Sequence, residues 1–239
     1  MGLKLPFADT AADAIETGVS GTVSFDNKNG SFTVPIAKSD ASIQITTIIS
    51  NPAAPTRYDY DFSIPEGGTI EQLGTGAVLI RDNAGFFIAA VNPAWAKDTN
   101  GNSVPTHYEV EGRTLSQIVT HSSGMAYPIV ADPWVGTLYF DSISQDTWNG
   151  QPAVHIVPSG FSRMLEASGN GWQVREFGWM QLKQVWPEVT TKPTYEQQYK
   201  CHAEFALVPW IGGNTWDLEK ARANLGNWYI GALQHRCNW

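Results

Sequence analysis

Glu204, Asp217 and Glu219 are the carboxylates whose type and placement could perform acid–base chemistry. With Asp217 set against Glu219 or Glu204, they would serve glycoside cleavage, which needs two carboxyl groups roughly 5 to 9 Å apart. The stretch that carries two of them, GGNTWDLEKAR (212–222), also has a purely structural reading. Asn214 or Thr215 would cap a short helix, and Asp217 and Glu219 would sit in its first turn, where the dipole favours acids. Cys201 is the second reactive group, with His202 or His235 as its base. Adjacent helical residues point about 100° apart, so His202 is badly placed to serve its own neighbour.

Cys201 and Cys237 are the only cysteines, and an even pair confined to one half of a chain points to a disulfide. Such a bridge would close a 36-residue loop and stabilise by roughly 3 to 4 kcal/mol. A Cys/His metal site is the remaining option, although the paired C-x-x-C or H-x-x-x-H spacing of zinc sites does not occur. In the first half, DTNGNSVPTHYE (98–109) sets Asp98, Asn100, Asn102 and Glu109 at ligand positions of a calcium loop. Ser103 stands where the sharp turn needs Gly, so a hairpin loop is the simpler reading. His107 and His121, one to a strand, read as solvated or hydrogen-bonded residues rather than ligands. No Gly-x-Ser-x-Gly elbow, His-Glu-x-x-His helix or phosphate loop occurs, and no cofactor is implied.

Nine of the ten tryptophans follow residue 132. So many indoles in 107 residues exceed what a small core holds, and those at the surface would stack on sugars or enter lipid headgroups. Trp216, Trp228 and Trp239, with Arg222, are the binding candidates, and the terminal Trp239 is expected to be the most exposed. Charge changes at the same place: residues 1–132 hold 7 basic and 14 acidic side chains, and residues 133–239 hold 8 and 9. The stretch MAYPIVADPWVG (125–136) therefore reads as the junction between two modules, 1–132 and 133–239. A net charge of −8 argues against nucleic acid and against docking on anionic lipid by charge alone. No apolar run approaches the ~20 residues of a transmembrane helix. The start, MGLKLPFADTAADA, is neither a signal peptide nor a myristoylation site, so secretion would require that a signal has been removed.

The fold class expected is α+β. Strands are predicted at 31–36, 42–49, 57–64, 77–81, 86–91, 107–112 and 116–121. RYDYDFSI alternates strictly between apolar and polar, as one wet-sided sheet requires. With tight turns at Asn29-Gly30 and Asn100-Gly101, the first module reads as an antiparallel β sandwich or barrel. The second opens on β-like GTLYFDSIS and PAVHIVPSG around Asn149-Gly150, then turns helical. WQVREFGWMQLKQVWP would be a helix stopped by Pro187 and weakened at Gly178 by up to ~1 kcal/mol. A capping box with Thr194 as N-cap and Gln197 reaching back would start a helix whose buried face is Tyr195, Tyr199, His202 and Ala206. A last helix would run from about Leu225 through Tyr229, Ile230 and Leu233 to Cys237.

Two resemblances follow from these residues. PAWAKDTNGNSVPTHYEVEGRTLSQIVTH, closing in YPIVADP, resembles the N-terminal module of secreted actinobacterial proteins, in which that motif precedes variable C-terminal domains. YEQQYKCHAEF, TWDLEKAR and the final Cys-Asn resemble a C-terminal domain of unknown function in the same proteins. Its pattern is met here by Cys201-His202, Trp216-Asp217-Leu218-Glu219, Arg222 and Cys237-Asn238. The resemblance implies a carrier or pro-region followed by an effector. It implies a secreted, bacteriocin-like antibacterial protein whose C-terminal module engages a bacterial cell-envelope component. The alternatives are a non-catalytic binder of cell-wall glycan or glycolipid, and a hydrolase using Glu204, Asp217 or Glu219.

Overall fold

Successive strand side chains point to opposite faces, so the alternation of Arg57–Ser63 buries Tyr58, Tyr60 and Phe62 and leaves Arg57, Asp59 and Asp61 in water. The computed structural model describes residues 1–239 other than 20, 39–41, 75 and 137. It divides into two compact units, Met1–Thr137 and Leu138–Trp239. Antiparallel sheets dominate, with a few helices in the second unit, so the α+β class fits.

In the first unit, Arg57–Ser63 lies between Gly2–Lys4 and Thr114–Val119 in a four-stranded sheet that Thr106–Glu111 completes. A larger antiparallel sheet is centred on Ile43–Ile49, which pairs with Ser31–Ala37, Ile129–Asp132 and Trp134–Gly136. One core cluster draws Tyr58, Tyr60 and Leu115 from the first sheet and Ile45, Ile80 and Val91 from the second. The stretch read as a junction thus supplies two strands to the larger sheet. Within it Ile129 and Ala131 are fully buried, and burial pushes the Asp132 carboxyl up to about 6. Trp134 belongs here as well, its indole donating to Ser42 Oγ at 2.8 Å.

The calcium-like segment is a turn. Asp98 accepts from the backbone of Asn100 and Asn102 and from the Asn102 amide. Glu109, its would-be last ligand, pairs with Arg57 at 2.8 Å. His107 is exposed, and His121 is held by Tyr127 and the Pro55 carbonyl.

The second unit opens on a hairpin, Phe140–Trp148 and Gln151–Pro158. Asn149 and Gly150 both take positive φ (48° and 72°), which a two-residue turn twisted to match its strands requires. Trp216–Glu219 adds a third antiparallel strand beside Gln151–Pro158. This corrects the expected capped helix at 212–222: Trp216 and Leu218 alternate inward, both fully buried, against Val154 and Ile156 of the neighbouring strand.

Helices pack on that apolar face. Gly171–Gln173, a π-turn at Val174–Gly178 and Trp179–Val185 run in succession and end before Pro187, where the sequence predicts the stop. Gly178 has a packing reason: a Cβ there would lie 2.2 Å from the Tyr199 hydroxyl, which itself donates to the Val174 carbonyl. The helix Pro193–Glu204 buries Tyr195, Tyr199 and His202, as its spacing requires. Its start is not the expected capping box. Pro193 takes the first helical position, Thr194 Oγ1 donates to the Ala223 carbonyl, and Gln197 accepts from Leu225. The expected last helix is likewise reduced to Ala232–His235, with Tyr229, Ile230 and Leu233 exposed. Gly226 and Gly231 interrupt the pattern, and Gly231 takes φ 76°. The Cys201–Cys237 disulfide is formed, with the Cα atoms 5.4 Å apart.

Candidate functional site

Strand register assembles the polar face of the second unit's sheet. With Trp216 and Leu218 turned into the core, Asp217 and Glu219 must point the other way. Asp217 lies directly across from His155, and His155 directly across from Ser144 on the first strand. His155 Nδ1 bonds Asp217 Oδ1 at 2.7 Å, and Nε2 lies 2.9 Å from Asp146 Oδ1. The imidazole is therefore hydrogen-bonded to Asp217 on one outer strand and lies within ion-pair distance of Asp146 on the other. Burial opposes its charge, but the hydrogen bonds and fields of Asp217 and Asp146 outweigh that and raise its pKa above the ordinary value. Although Ser144 is the neighbour of His155, Asp146 rather than a hydroxyl stands 2.9 Å from the nitrogen that a serine nucleophile would need.

One register step along, Glu219 pairs with Arg222. The Arg222 guanidinium lies 4.2 Å from the centre of the Trp148 ring, and its Nη1 donates to the Trp239 carbonyl at 2.8 Å. Trp239 is anchored in return by its indole on the Ala223 carbonyl at 2.7 Å. Asn238, with its amide turned to donate, reaches the Asp217 carbonyl at 3.0 Å. The result is a band of planar groups: Trp148, Arg222, Asp146, His155 and Asp217. Trp148 is 37% exposed, and the Asp146 and Asp217 side chains are 67% and 42% exposed.

Residues 141–239 match the family model described as "Protein of unknown function (DUF2599)". A DUF2599 domain therefore makes up nearly all of the second unit. No curated protein and no solved structure matches the chain.

The DUF2599 domain brings Asp217, Glu219, Arg222 and Trp239 together on one face. It places the other sequence-derived candidates elsewhere. Glu204 pairs with Arg175 at the end of its helix and lines a separate cleft with Trp172 and Gly169. His202 is buried, stacked on Trp216 with 9° between the planes, and Nδ1 meets the Ile211 carbonyl at 3.0 Å. Burial lowers its pKa, which leaves a neutral core residue. Trp216 is fully buried, so it shapes the face from behind without touching a ligand. Trp228 packs on the cluster around the disulfide. Trp239 is half-buried, against the expectation that the terminal indole would be the freest. Sequence reasoning missed Asp146, Trp148 and His155. The signal for His155 was available: in PAVHIVP it sits between Val154 and Ile156, on the opposite face of a strand. Among the described residues, no group of three or more His, Cys, Asp or Glu side chains is placed to hold a metal ion.

The clasp makes stability depend on pH. Because the folded pKa of His155 is raised, its contribution is complete below the unfolded value of about 6.5 and is lost as pH rises through the folded value. His202, lowered by burial, acts in the opposite sense. The comparison that isolates the clasp is therefore wild type against His155→Gln. The wild-type advantage in Tm is expected to shrink as pH rises from about 6 to about 8.5. Thermal melts at fixed ionic strength check this, and an advantage that grows with pH would refute the assignment.

Proposed function

We propose that the chain is a secreted protein whose DUF2599 domain binds bacterial cell-wall glycan, without cleaving it, on the polar face of its three-stranded sheet. The observation that carries this reading is the band in which the partly exposed Trp148 indole, backed by Arg222, adjoins the solvent-facing carboxylates of Asp146 and Asp217. An aromatic face beside planar acceptors and donors is the chemistry that recognises a sugar ring: the indole covers its C–H face and carboxylates accept from its hydroxyls. Binding is favoured over cleavage because Asp217 and Glu219 each already have a basic partner, His155 and Arg222. The two acids also share one strand face rather than standing opposed across a cleft. The disulfide suits an extracellular setting.

Purified insoluble cell wall, mixed with the full chain and spun down, is expected to retain it. Trp148→Ala weakens retention on the order of tenfold, the scale of one lost aromatic contact with part of its hydrogen-bonded surroundings. Equal retention of Trp148→Ala contradicts the site, and release of new reducing ends contradicts a purely binding role.

Antibacterial action of the bacteriocin type is the second reading, favoured by the large apolar side chains left in water around the disulfide. Growth inhibition across a panel of related bacteria by the full chain and by its second unit supports it. A panel wholly unharmed by both excludes it.

A further inference from the structure

A second surface of the DUF2599 domain lies around the disulfide, built from side chains the glycan face does not use. Cys201, Cys237, Ile211 and Ala232 form a small core of their own, packed by Phe205, Val208 and Trp228. Two short segments rest on it and hold large apolar side chains out in water. Leu207 and Trp210 stand on one, and Tyr229, Ile230 and Leu233 on the other, each 54–68% exposed. Leu207 borders a shallow cleft beside Val208 and Phe205, and all five side chains stand more than half in water. We infer that these five side chains form a docking surface for an anionic lipid bilayer.

Charge and side-chain type select the bilayer over other occupants. The chain carries a net charge of −8, yet residues 205–216 contain no Lys, Arg, Asp or Glu, and from 223 to 239 the only one is Arg236. Arg236 is exposed one helical turn beyond Leu233. The two segments thus bring one cation and no acid of their own, and the carboxylates beside Leu207, Glu204 and Glu166, are paired with Arg175 and Arg163, which leaves the patch complementary to lipid phosphates. Trp210 and Tyr229 are the aromatic types that settle at headgroup depth, while Leu207, Ile230 and Leu233 suit the acyl boundary. The disulfide fixes both segments beforehand, so little order must be created on docking. This inference stands apart from the glycan reading, and Trp148→Ala leaves it unchanged.

The test is flotation of the full chain with vesicles of phosphatidylglycerol and phosphatidylcholine carrying brominated acyl chains, which quench only inserted indoles. The chain is expected to float with these vesicles and several-fold less with phosphatidylcholine alone. Leu207→Ser with Ile230→Ser is expected to lower partitioning about 100-fold. Trp210→Phe keeps the bulk of the side chain, so flotation persists while quenching falls. Flotation with neither vesicle, partitioning untouched by the double substitution, or quenching untouched by Trp210→Phe each overturns the inference. So does a dimer in light scattering that the double substitution dissolves without any flotation, because the patch would then bind a second copy.

Discussion

Replacing Cys201 and Cys237 together by alanine is expected to lower the unfolding free energy of the DUF2599 domain by about 4 kcal/mol. The bridge closes a loop of 36 residues, and the chain entropy returned to the unfolded state sets that figure. Both cysteines are fully buried, and alanine avoids leaving a hydroxyl in their place. At roughly 4 to 8 °C per kcal/mol for a unit of this size, the melting temperature of the second unit falls by about 15 °C or more. The loss is expected to begin locally. Besides the small cluster under the bridge, the segment 224–239 is held by hydrogen bonds to Gln197, Arg222, Ala223 and Asp217, and its Tyr229, Ile230 and Leu233 are more than half exposed. Limited proteolysis near Gly226 should therefore accelerate before the sheet melts. A shift of less than about 3 °C would mean that the unfolded chain already holds the two ends together.

Trp216→Ala carries the second large effect, an expected 3 to 5 kcal/mol. The indole is fully buried, its Nε1 donates to the Gly212 carbonyl at 2.7 Å, and its ring meets Tyr199 edge-on and His202 face-on. Truncation leaves a cavity between sheet and helices and a carbonyl without its donor. The surroundings cannot close in, because Gly212 is fixed against the chain: a Cβ there would lie 1.6 Å from the Ala206 carbonyl oxygen. Trp148→Ala is the informative contrast. Trp148 lies on the outer side of the same sheet and is partly exposed, so its loss should change stability by no more than about 1 kcal/mol while weakening glycan retention about tenfold. Denaturant melts of the two variants separate these outcomes. Equal destabilisation would show that the outer face is itself core.

The β character of the first unit was legible because Arg57–Ser63 and its neighbours obey a period of two, and burial follows that period residue by residue. The buried face of the Pro193–Glu204 helix was legible for the same kind of reason. The polar face was only half legible. Asn214 and Thr215 before two acids read locally as a helix cap, yet Trp216 and Leu218 also sit two apart, and the sheet edge that claims them lies some sixty residues earlier. His155 acquires its meaning only from register, since Asp217 is 62 residues away in sequence. The spacing of Tyr229, Ile230 and Leu233 imitated a buried helical face, but in a chain tied down by the nearby bridge those residues were free to remain outside. Thr194 was drawn out of its capping role by the Ala223 carbonyl, a long-range partner that no local pattern discloses.

The most direct measurement is a nuclear magnetic resonance titration of the full chain with soluble peptidoglycan fragments, following the Trp148 indole N–H and the His155 ring resonances. The account predicts saturable shifts centred on Trp148, His155 and Arg222, with Trp216 and Trp210 unmoved and the fragments recovered intact. If saturating fragment leaves Trp148 and His155 where they were, the polar sheet face is not the glycan site.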